Sequence, residues 1–188
     1  CTYSATFAAP EFDAASQEVW LQFEGVNASA KVTLNGVEVA RHDGGYSTFR
    51  AEVTGLLQAE NQLTVQVDNS VNDRVYPQKA DFTFYGGIYR DVSLLVVNKN
   101  HIALGHFGDT GVKITPDLKE GSADIQVETL VEGEGTVVVE LLDAEGNSVA
   151  RGEGEKTSLH LDAPHLWNGI KDPYLYTCVV RLLQDGQP

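Results

Sequence analysis

Apolar and polar residues alternate in short stretches along this chain of 188 residues, with the period of two that is typical of β-strands. No segment of about twelve residues carries a helical apolar repeat free of glycine and proline. In the first half, the strands predicted from this alternation cover residues 1–7, 19–23, 31–34, 37–41, 48–53, 63–67 and 91–97. The pattern therefore predicts an all-β protein.

The most specific local signal is an Asn-Gly pair between two alternating stretches. Asn35 and Gly36 separate residues 31–34 from residues 37–40. Both residue types tolerate the positive φ angles that a two-residue type I′ turn requires. We therefore predict a tight β-hairpin at this position.

The polar residues 98–100 interrupt the first series of strands, and a second series begins near His101. Its predicted strands cover residues 123–131, 136–142, 148–151, 159–161 and 174–183, with a turn at residues 143–146. About seven short strands in roughly 90 residues are typical of an immunoglobulin-like β-sandwich, and the first series fits a jelly-roll sandwich. We predict these two domains at residues 1–98 and 99–188, in the order jelly roll, immunoglobulin-like sandwich.

Charge and hydropathy narrow the range of partners. The chain has 13 Lys and Arg against 27 Asp and Glu, which gives a formal net charge of −14. Nucleic acids and anionic membranes bind clustered cationic side chains, so neither is expected as a partner. The longest apolar run is far shorter than the roughly 20 residues that a membrane-spanning helix needs.

Both ends of the chain lie inside predicted elements. Residue 1 falls within a strand, and the last predicted strand runs into residues 184–187, whose composition favours a hairpin turn. We therefore expect a piece of a longer polypeptide. The chain shows no signal peptide, and the cellular compartment stays open. Cys1 and Cys178 are expected to be ordinary thiols.

Known catalytic signatures are absent from the sequence, including GxSxG, HExxH, the P-loop and a GxGxxG that opens a helix. Among the five histidines, His101 and His106 lie only five positions apart and are a pair that could bind one metal ion. Because no third ligand residue lies at a spacing that would bring it to the same ion, we expect no metal site there.

One long connection, residues 68–91, combines aromatic side chains with planar hydrogen-bonding groups. Aromatic planes stack on the C–H faces of sugars while carboxylates and guanidinium groups bind the hydroxyls, so the mixture favours carbohydrate. The alternative is a small satellite core of aromatic residues with Arg90 in an ion pair. The residues concerned are Asp73, Arg74, Tyr76, Asp81, Phe82, Phe84, Tyr85, Tyr89 and Arg90.

Residues 81–92, DFTFYGGIYRDV, resemble the signature near the end of the sugar-binding jelly-roll domain of glycoside hydrolase family two, the β-galactosidases and β-glucuronidases. Upstream, FEGVN at 23–27, the Asn-Gly hairpin and VDNS at 67–70 occur in the family's order. Downstream, LWNG at 166–169 and DPYLY at 172–176 resemble the end of the family's immunoglobulin-like second domain. The resemblance covers essentially the whole chain.

The resemblance implies a galactose-binding-like jelly roll in the non-catalytic N-terminal part of a retaining hydrolase of carbohydrate metabolism, most similar to the β-galactosidase type. In that family two glutamates on a following (β/α)8 barrel do the chemistry. No helix-rich segment of this chain supplies a barrel, so no catalytic residue is assigned here and the chain alone is expected to be inactive. The implied partners are the parent's own C-terminal barrel and a β-galactoside-type substrate.

The resemblance also implies roles for residues of the long connection. Asp81 corresponds to an acid that holds the sugar and, in some members, a sodium ion. Phe84 and Tyr85 are expected to line the same mouth, and the residues expected to anchor the loop are Gly86, Gly87, Arg90 and Asp91. No cofactor is expected in this chain, although sodium or magnesium is a candidate in the parent.

Two further interpretations stay open beside this one. A free-standing carbohydrate-binding module would bind sugar unaided, and a structural spacer would bind no ligand. The terminal hairpin turn favours a piece of a larger enzyme over an independent module. The substrate itself is a galactoside, a glucuronide or a mannoside.

Overall fold

β-Strands dominate the computed structural model, which describes residues 1–77 and 79–188. In chain order the first group comprises β1 (Thr2–Ala8), β2 (Gln17–Phe23), β3 (Val26–Asn27), β4 (Ser29–Leu34), β5 (Val37–Asp43), β6 (Phe49–Glu52), β7 (Glu60–Asp68), β8 (Gly87–Ile88) and β9 (Val92–Asn98). The second group comprises β10 (His101–Ile102), β11 (Val112–Lys119), β12 (Ser122–Thr129), β13 (Val131–Glu132), β14 (Thr136–Leu142), β15 (Ser148–Glu153), β16 (Lys156–Asp162) and β17 (Thr177–Leu183). The all-β prediction is confirmed.

The chain forms two compact units. The first contains Cys1–Lys99 and Leu104–Asp109, and the second contains Asn100–Ala103 and Thr110–Pro188. The chain thus passes briefly into the second unit and back before the second unit continues. The predicted domain boundary between residues 98 and 99 lies beside this exchange of segments.

The first unit is a β-sandwich. One sheet has the order β1-β7-β4-β5, the other has the order β6-β2-β9, and the short strands β3 and β8 pair separately. Alternate residues of β4 and β7 are buried between the sheets, as the period of two requires. On the facing sheet Phe23 is almost fully buried, and its ring stacks on Phe49 with centroids 4.8 Å apart.

The predicted hairpin is confirmed. Asn35 and Gly36 have φ angles of 51° and 84°, and Leu34 pairs with Val37 across the turn. The register shifts between Val32 and Thr33, which places a β-bulge one step into the hairpin. The turn holds β4 and β5 at one side of the first sheet.

The opposite side of the first sandwich is open. An apolar opening of about 520 Å³ lies between β1 and β9, which are edge strands of the two sheets. Nearly all residues of β1 are exposed. Part of the core, including Phe23 and Leu63, lines this opening.

The second unit is also a sandwich, with sheets of order β11-β12-β16 and β15-β14-β17 and a small pair, β10 and β13. Its core lies between β12, β14 and β16 and includes Ile125, Val127, Val139 and Leu159. Strand β11 was absent from the prediction because Pro116, which lacks a backbone N–H, interrupts the alternating stretch. The last strand begins at Thr177, three residues later than predicted.

Within residues 1–77 and 79–188, the helical segments are two three-residue 3-10 helices, Thr54–Leu56 and Gly169–Lys171. None of the helices in the described part of the chain is long and apolar enough to cross a membrane. Cys1 and Cys178 are free thiols, as predicted, and burial raises the pKa of the Cys178 thiol.

Because each unit has its own buried cluster, we expect a core substitution to act locally. Phe23→Ala should lower the free energy of unfolding of the first unit by about 3–5 kcal/mol, the usual cost of emptying a buried aromatic site. Urea titrations followed by the amide NMR signals of Val65 and Val139 measure the two units separately. Leu159→Ala is the reciprocal control, and an equal shift of both transitions in either variant would contradict two independent cores.

Candidate functional site

The predicted functional segment lies in the connection between β7 and β9. We call residues 81–91 the signature loop. Its only regular element is β8, which pairs with β3 so that Asn27 lies opposite Gly87 and Val26 lies opposite Ile88. This pairing joins the second half of the loop to the first sandwich.

Two asparagine side chains hold the backbone of the signature loop. The Asn27 side chain is buried, with 7% of its residue surface exposed, and its Nδ2 donates a hydrogen bond of 2.7 Å to the carbonyl oxygen of Tyr85. The Nδ2 of Asn69 donates to the carbonyl oxygen of Phe84 over 3.4 Å. Consecutive carbonyls of the loop are therefore held by amides from two other segments.

The two glycines of the loop permit close approach. A Cβ atom on Gly86 would lie 2.5 Å from Cγ of Asn69. Gly87 has a φ of +123°, a region that favours glycine, and a Cβ there would lie 2.6 Å from the Tyr3 hydroxyl oxygen. Side chains at either position would push the loop away from its supports.

The end of the loop is anchored through backbone carbonyls. The Arg90 guanidinium donates to the carbonyl oxygens of Tyr46 and Glu24 over 3.2 and 3.4 Å, and it lies 5.2 Å from the centre of the Tyr89 ring. The Tyr89 hydroxyl donates to the carbonyl oxygen of Gly45 over 2.5 Å. The Asp91 carbonyl oxygen accepts from the Glu24 amide, while the Asp91 side chain is exposed. These contacts join the end of the loop to the first sandwich, and the anchoring roles of Arg90 and Asp91 stay a prediction.

Most side chains in the first half of the signature loop are exposed. Asp81 is exposed, and within residues 1–77 and 79–188 its carboxylate has no hydrogen bond or ion pair. Tyr85 is 80% exposed and Phe82 is 54% exposed. Phe84 is half-buried, with its ring centroid 5.0 Å from that of Phe82. The alternative of a satellite aromatic core is therefore wrong, and Arg90 binds carbonyls instead of an acid.

Phe84, one of the three expected sugar contacts, lines a cleft. That cleft has a volume of about 120 Å³ and is bordered by Asn27, Tyr46, Asn69 and Tyr76. Ligand pockets usually have about 300–1,000 Å³. The cleft is therefore too small to enclose a sugar, and Asp81 and Tyr85 lie outside its lining. The described part of the chain presents an open surface at this position.

A polar network holds the first part of the connection, next to the cleft. The Asp43 carboxylate accepts hydrogen bonds from the Ser29 hydroxyl over 2.6 Å, from Arg74 Nε over 2.9 Å and from Asn72 Nδ2 over 3.4 Å. The Ser29 hydroxyl and the Arg74 guanidinium hold the pKa of the Asp43 carboxyl below its ordinary value. This network links the connection to β4 and β5.

Asp81 does not meet other metal ligands in this chain. Among the described residues it belongs to no group of three His, Cys, Asp or Glu ligand atoms close enough to share an ion. A single carboxylate does not make a sodium or magnesium site. Such a site stays a prediction for a longer enzyme that supplies further ligands.

The fold and the loop together define a galactose-binding-like sandwich followed by an immunoglobulin-like sandwich. A sequence model described as the galactose-binding domain-like region of glycosyl hydrolase 2 matches residues 1–116, and one described as glycosyl hydrolases family 2 matches residues 106–188. The chain belongs to glycosyl hydrolase family 2.

Three relatives illustrate the similarity. The chain is 30% identical to a β-glucuronidase from Bacteroides fragilis, covering 97% of this chain and 29% of the relative. It is 30% identical to a β-galactosidase from Thermoanaerobacter pseudethanolicus, covering 91% of this chain and 24% of the relative. The crystal structure of an FMN-binding β-glucuronidase from Faecalibacterium prausnitzii matches with a TM-score of 0.87 and 33% identity, covering 99% of this chain and 30% of that one. The chain thus spans less than a third of each relative's length.

Sequence reasoning did not assign the residues that support the loop. Asn27, Asn69 and Tyr3 contact it from three separate segments, and Gly45 makes room for the Asn27 side chain because a Cβ there would lie 2.3 Å from Asn27 Oδ1. Asn27 and Asn69 both lie within segments that resemble the family. That resemblance was the available signal for their importance.

The Asp43 network predicts a pH-dependent loosening of the connection. Because its folded pKa is lowered, the carboxylate contributes stability at neutral pH, and this contribution is lost as the pH falls from about 3.9, the ordinary aspartate value, through the lowered value. The amide NMR signals of Asn72 and Arg74, whose side chains bind Asp43, should shift together in this range. In Asp43→Asn the same signals should show no such step, and an unchanged step there would assign the titration to another group.

Proposed function

We propose that this chain is the non-catalytic N-terminal part of a retaining family 2 glycosidase of the β-galactosidase type, and that its signature loop forms one wall of the active-site mouth. The observation that carries the proposal is the share of this chain, and of each relative, that the alignments cover. Almost the whole chain aligns with its relatives, yet it accounts for only 29% of one glucuronidase and 24% of one galactosidase. The remaining length is enough for a (β/α)8 barrel, which typically has about 250 residues.

The geometry of the loop supports this role. A carboxylate that is exposed and unpaired among the described residues, as Asp81 is, has both oxygens free to accept hydrogen bonds from sugar hydroxyls. Next to it, Phe84 and Tyr85 offer aromatic faces for stacking on sugar C–H groups. Their backbone is held by Asn27 and Asn69, so the contacts are positioned before the substrate arrives.

The chemistry itself is assigned to the rest of the enzyme. In a retaining glycosidase one carboxylate acts as nucleophile and a second acts as acid and base, about 5–5.5 Å apart on either side of the scissile bond. The role of this chain is to bind and orient the sugar and to help exclude water. The open surface at the loop fits a wall that a second domain completes.

A β-glucuronide is the second candidate substrate. The observation that favours it is that relatives named β-glucuronidase match this chain as well as those named β-galactosidase. The two substrates differ at C6, which carries a hydroxymethyl group in galactose and a carboxylate in glucuronate. A parent of the galactosidase type should therefore have a kcat/KM for an aryl β-galactoside at least tenfold above that for the β-glucuronide.

Replacing Asp81 distinguishes a carboxylate that contacts the substrate from one that only stabilises the fold. In the 188-residue chain, Asp81→Ala should change the free energy of unfolding by less than about 0.5 kcal/mol, because the side chain is exposed. In the full-length enzyme the same change should lower kcat/KM by about 100-fold, since a hydrogen bond to a charged group contributes about 1.5–3 kcal/mol and any lost ion adds to it. Denaturant titration of the chain and steady-state kinetics of the enzyme measure the two effects.

The matched control is Asp73→Ala, which removes another exposed carboxylate from the same connection. It should leave both measurements unchanged. If Asp81→Ala unfolds the chain, or if the enzyme retains its activity, Asp81 does not contact substrate.

The 188-residue chain alone should neither hydrolyse aryl β-galactosides nor bind galactose. Binding without turnover would instead support a free-standing carbohydrate-binding module.

A further inference from the structure

Two Asn-Gly pairs of this chain lie in different surroundings. Asn35 and Gly36 form the turn between β4 and β5, and Asn168 and Gly169 end the LWNG segment of the second unit. An asparagine followed by glycine is prone to deamidation, because glycine has no side chain to shield its backbone nitrogen from the asparagine amide carbon. Since both pairs share the same dipeptide, a difference in their reactivity has to come from the fold.

The Asn35 side chain is hydrogen-bonded at both of its polar atoms. Its Nδ2 donates to the Leu56 carbonyl oxygen over 2.8 Å and to Asn61 Oδ1 over 2.9 Å, and its Oδ1 accepts from the Gln62 amide over 2.9 Å. Asn61 is 1% exposed, so the centre of this network is buried. Any reaction at the Asn35 amide group therefore has to break several hydrogen bonds first.

The Asn168 side chain lacks this support. It is exposed, and within residues 1–77 and 79–188 its amide group makes no hydrogen bond. Gly169 begins a three-residue 3-10 helix, and the first N–H groups of a helix have no partner within it. A Cβ on Gly169 would lie 3.9 Å from the Trp167 ring, so the described chain does not crowd this residue. The backbone nitrogen and the amide carbon are both accessible to reaction.

We propose that Asn168 is a site of spontaneous deamidation and that the fold protects Asn35 from the same reaction. The Gly169 backbone nitrogen loses its proton to a base in the solvent and bonds to Cγ of Asn168. The Cγ–Nδ2 bond breaks, and the nitrogen leaves as ammonia with a proton from water. A water molecule then opens the five-membered succinimide. Hydrolysis of its Cγ–N bond gives aspartate, and hydrolysis of the bond between the Asn168 carbonyl carbon and the same nitrogen gives isoaspartate.

The modification alters a bridge that closes the same segment. Asn168 and Asp172 form an isolated antiparallel bridge, in which the Asn168 amide donates to the Asp172 carbonyl oxygen over 2.7 Å. Like charges directly opposite each other destabilise such a pair, so an aspartate at position 168 faces Asp172 unfavourably. Isoaspartate also adds a carbon atom to the main chain. Either product weakens the bridge and adds a negative charge to the second unit.

Incubation of the 188-residue chain in mildly alkaline buffer tests the assignment. Mass spectrometry of proteolytic peptides gives the deamidation rate at each asparagine, and chromatography separates aspartate from isoaspartate. In the folded chain Asn168 should react about tenfold or more faster than Asn35, because the Asn35 site has to open before it can react. In guanidinium chloride the two rates should be nearly equal, which measures the reactivity of the dipeptide without the fold.

Asn168→Gln is the matched control for the chemistry, because its longer side chain cannot close the same five-membered ring. It should abolish deamidation at position 168 and leave the Asn35 rate unchanged. Folded-chain rates at Asn168 and Asn35 that differ by less than about tenfold would overturn the proposal. A rate ratio in guanidinium chloride as large as the ratio in the folded chain would also overturn it, since the difference would then not come from the fold.

Asn168→Asp carries the charge of one product and tests the effect on the bridge. Hydrogen-exchange protection of the residue-168 amide should be lower in Asn168→Asp than in Asn168→Gln by about twofold or more, while the core amide of Val139 keeps its protection in both. Equal protection of the residue-168 amide in the two variants would overturn the predicted weakening of the bridge. Neither measurement involves a sugar or glycosidase activity, so the proposed function is tested separately.

Discussion

The buried amide of Asn27 is the contact on which the candidate site depends. It lies on β3, its Nδ2 binds the Tyr85 carbonyl, and its Oδ1 lies over a glycine that leaves room for it. A buried amide costs free energy unless it is hydrogen-bonded, so burying Asn27 favours the one loop conformation that supplies the carbonyl. The Gly45 carbonyl in turn accepts from Tyr89, which ties the end of the loop to the same place. One buried side chain thereby couples three separate segments.

Within the signature loop, a backbone held by other segments carries exposed side chains. Asn27 and Asn69 bind the backbone carbonyls of Tyr85 and Phe84, and the side chains of Asp81 and Tyr85 face solvent. A surface that is fixed in shape but lacks an enclosing cleft suits contact with a ligand held partly by another domain. The small cleft beside Phe84 is lined by amides and aromatic rings and encloses too little volume for a sugar.

The two units show a common feature at their edges. In the first, an apolar opening lies between β1 and β9, and in the second a groove lies between β11 and β17. Each core is well buried in its central strands, where Val32 and Val139 are fully covered, and becomes exposed toward one side. Stability in such a sandwich depends on what covers that side, since uncovered apolar surface contributes little to folding.

The sequence by itself determined the all-β class, the hairpin at Asn35 and Gly36 and the identity of the signature segment, because these depend on local alternation, turn chemistry and a contiguous motif. It missed β11, whose alternation is interrupted by Pro116, because pairing with β12 decides that strand. It also left open whether the loop aromatics form a core, since exposure depends on segments distant in sequence. Only the tertiary structure brought Asn27, Gly45 and Asn69 to the loop, because close approach between residues 15 to 58 positions apart leaves no period in the sequence.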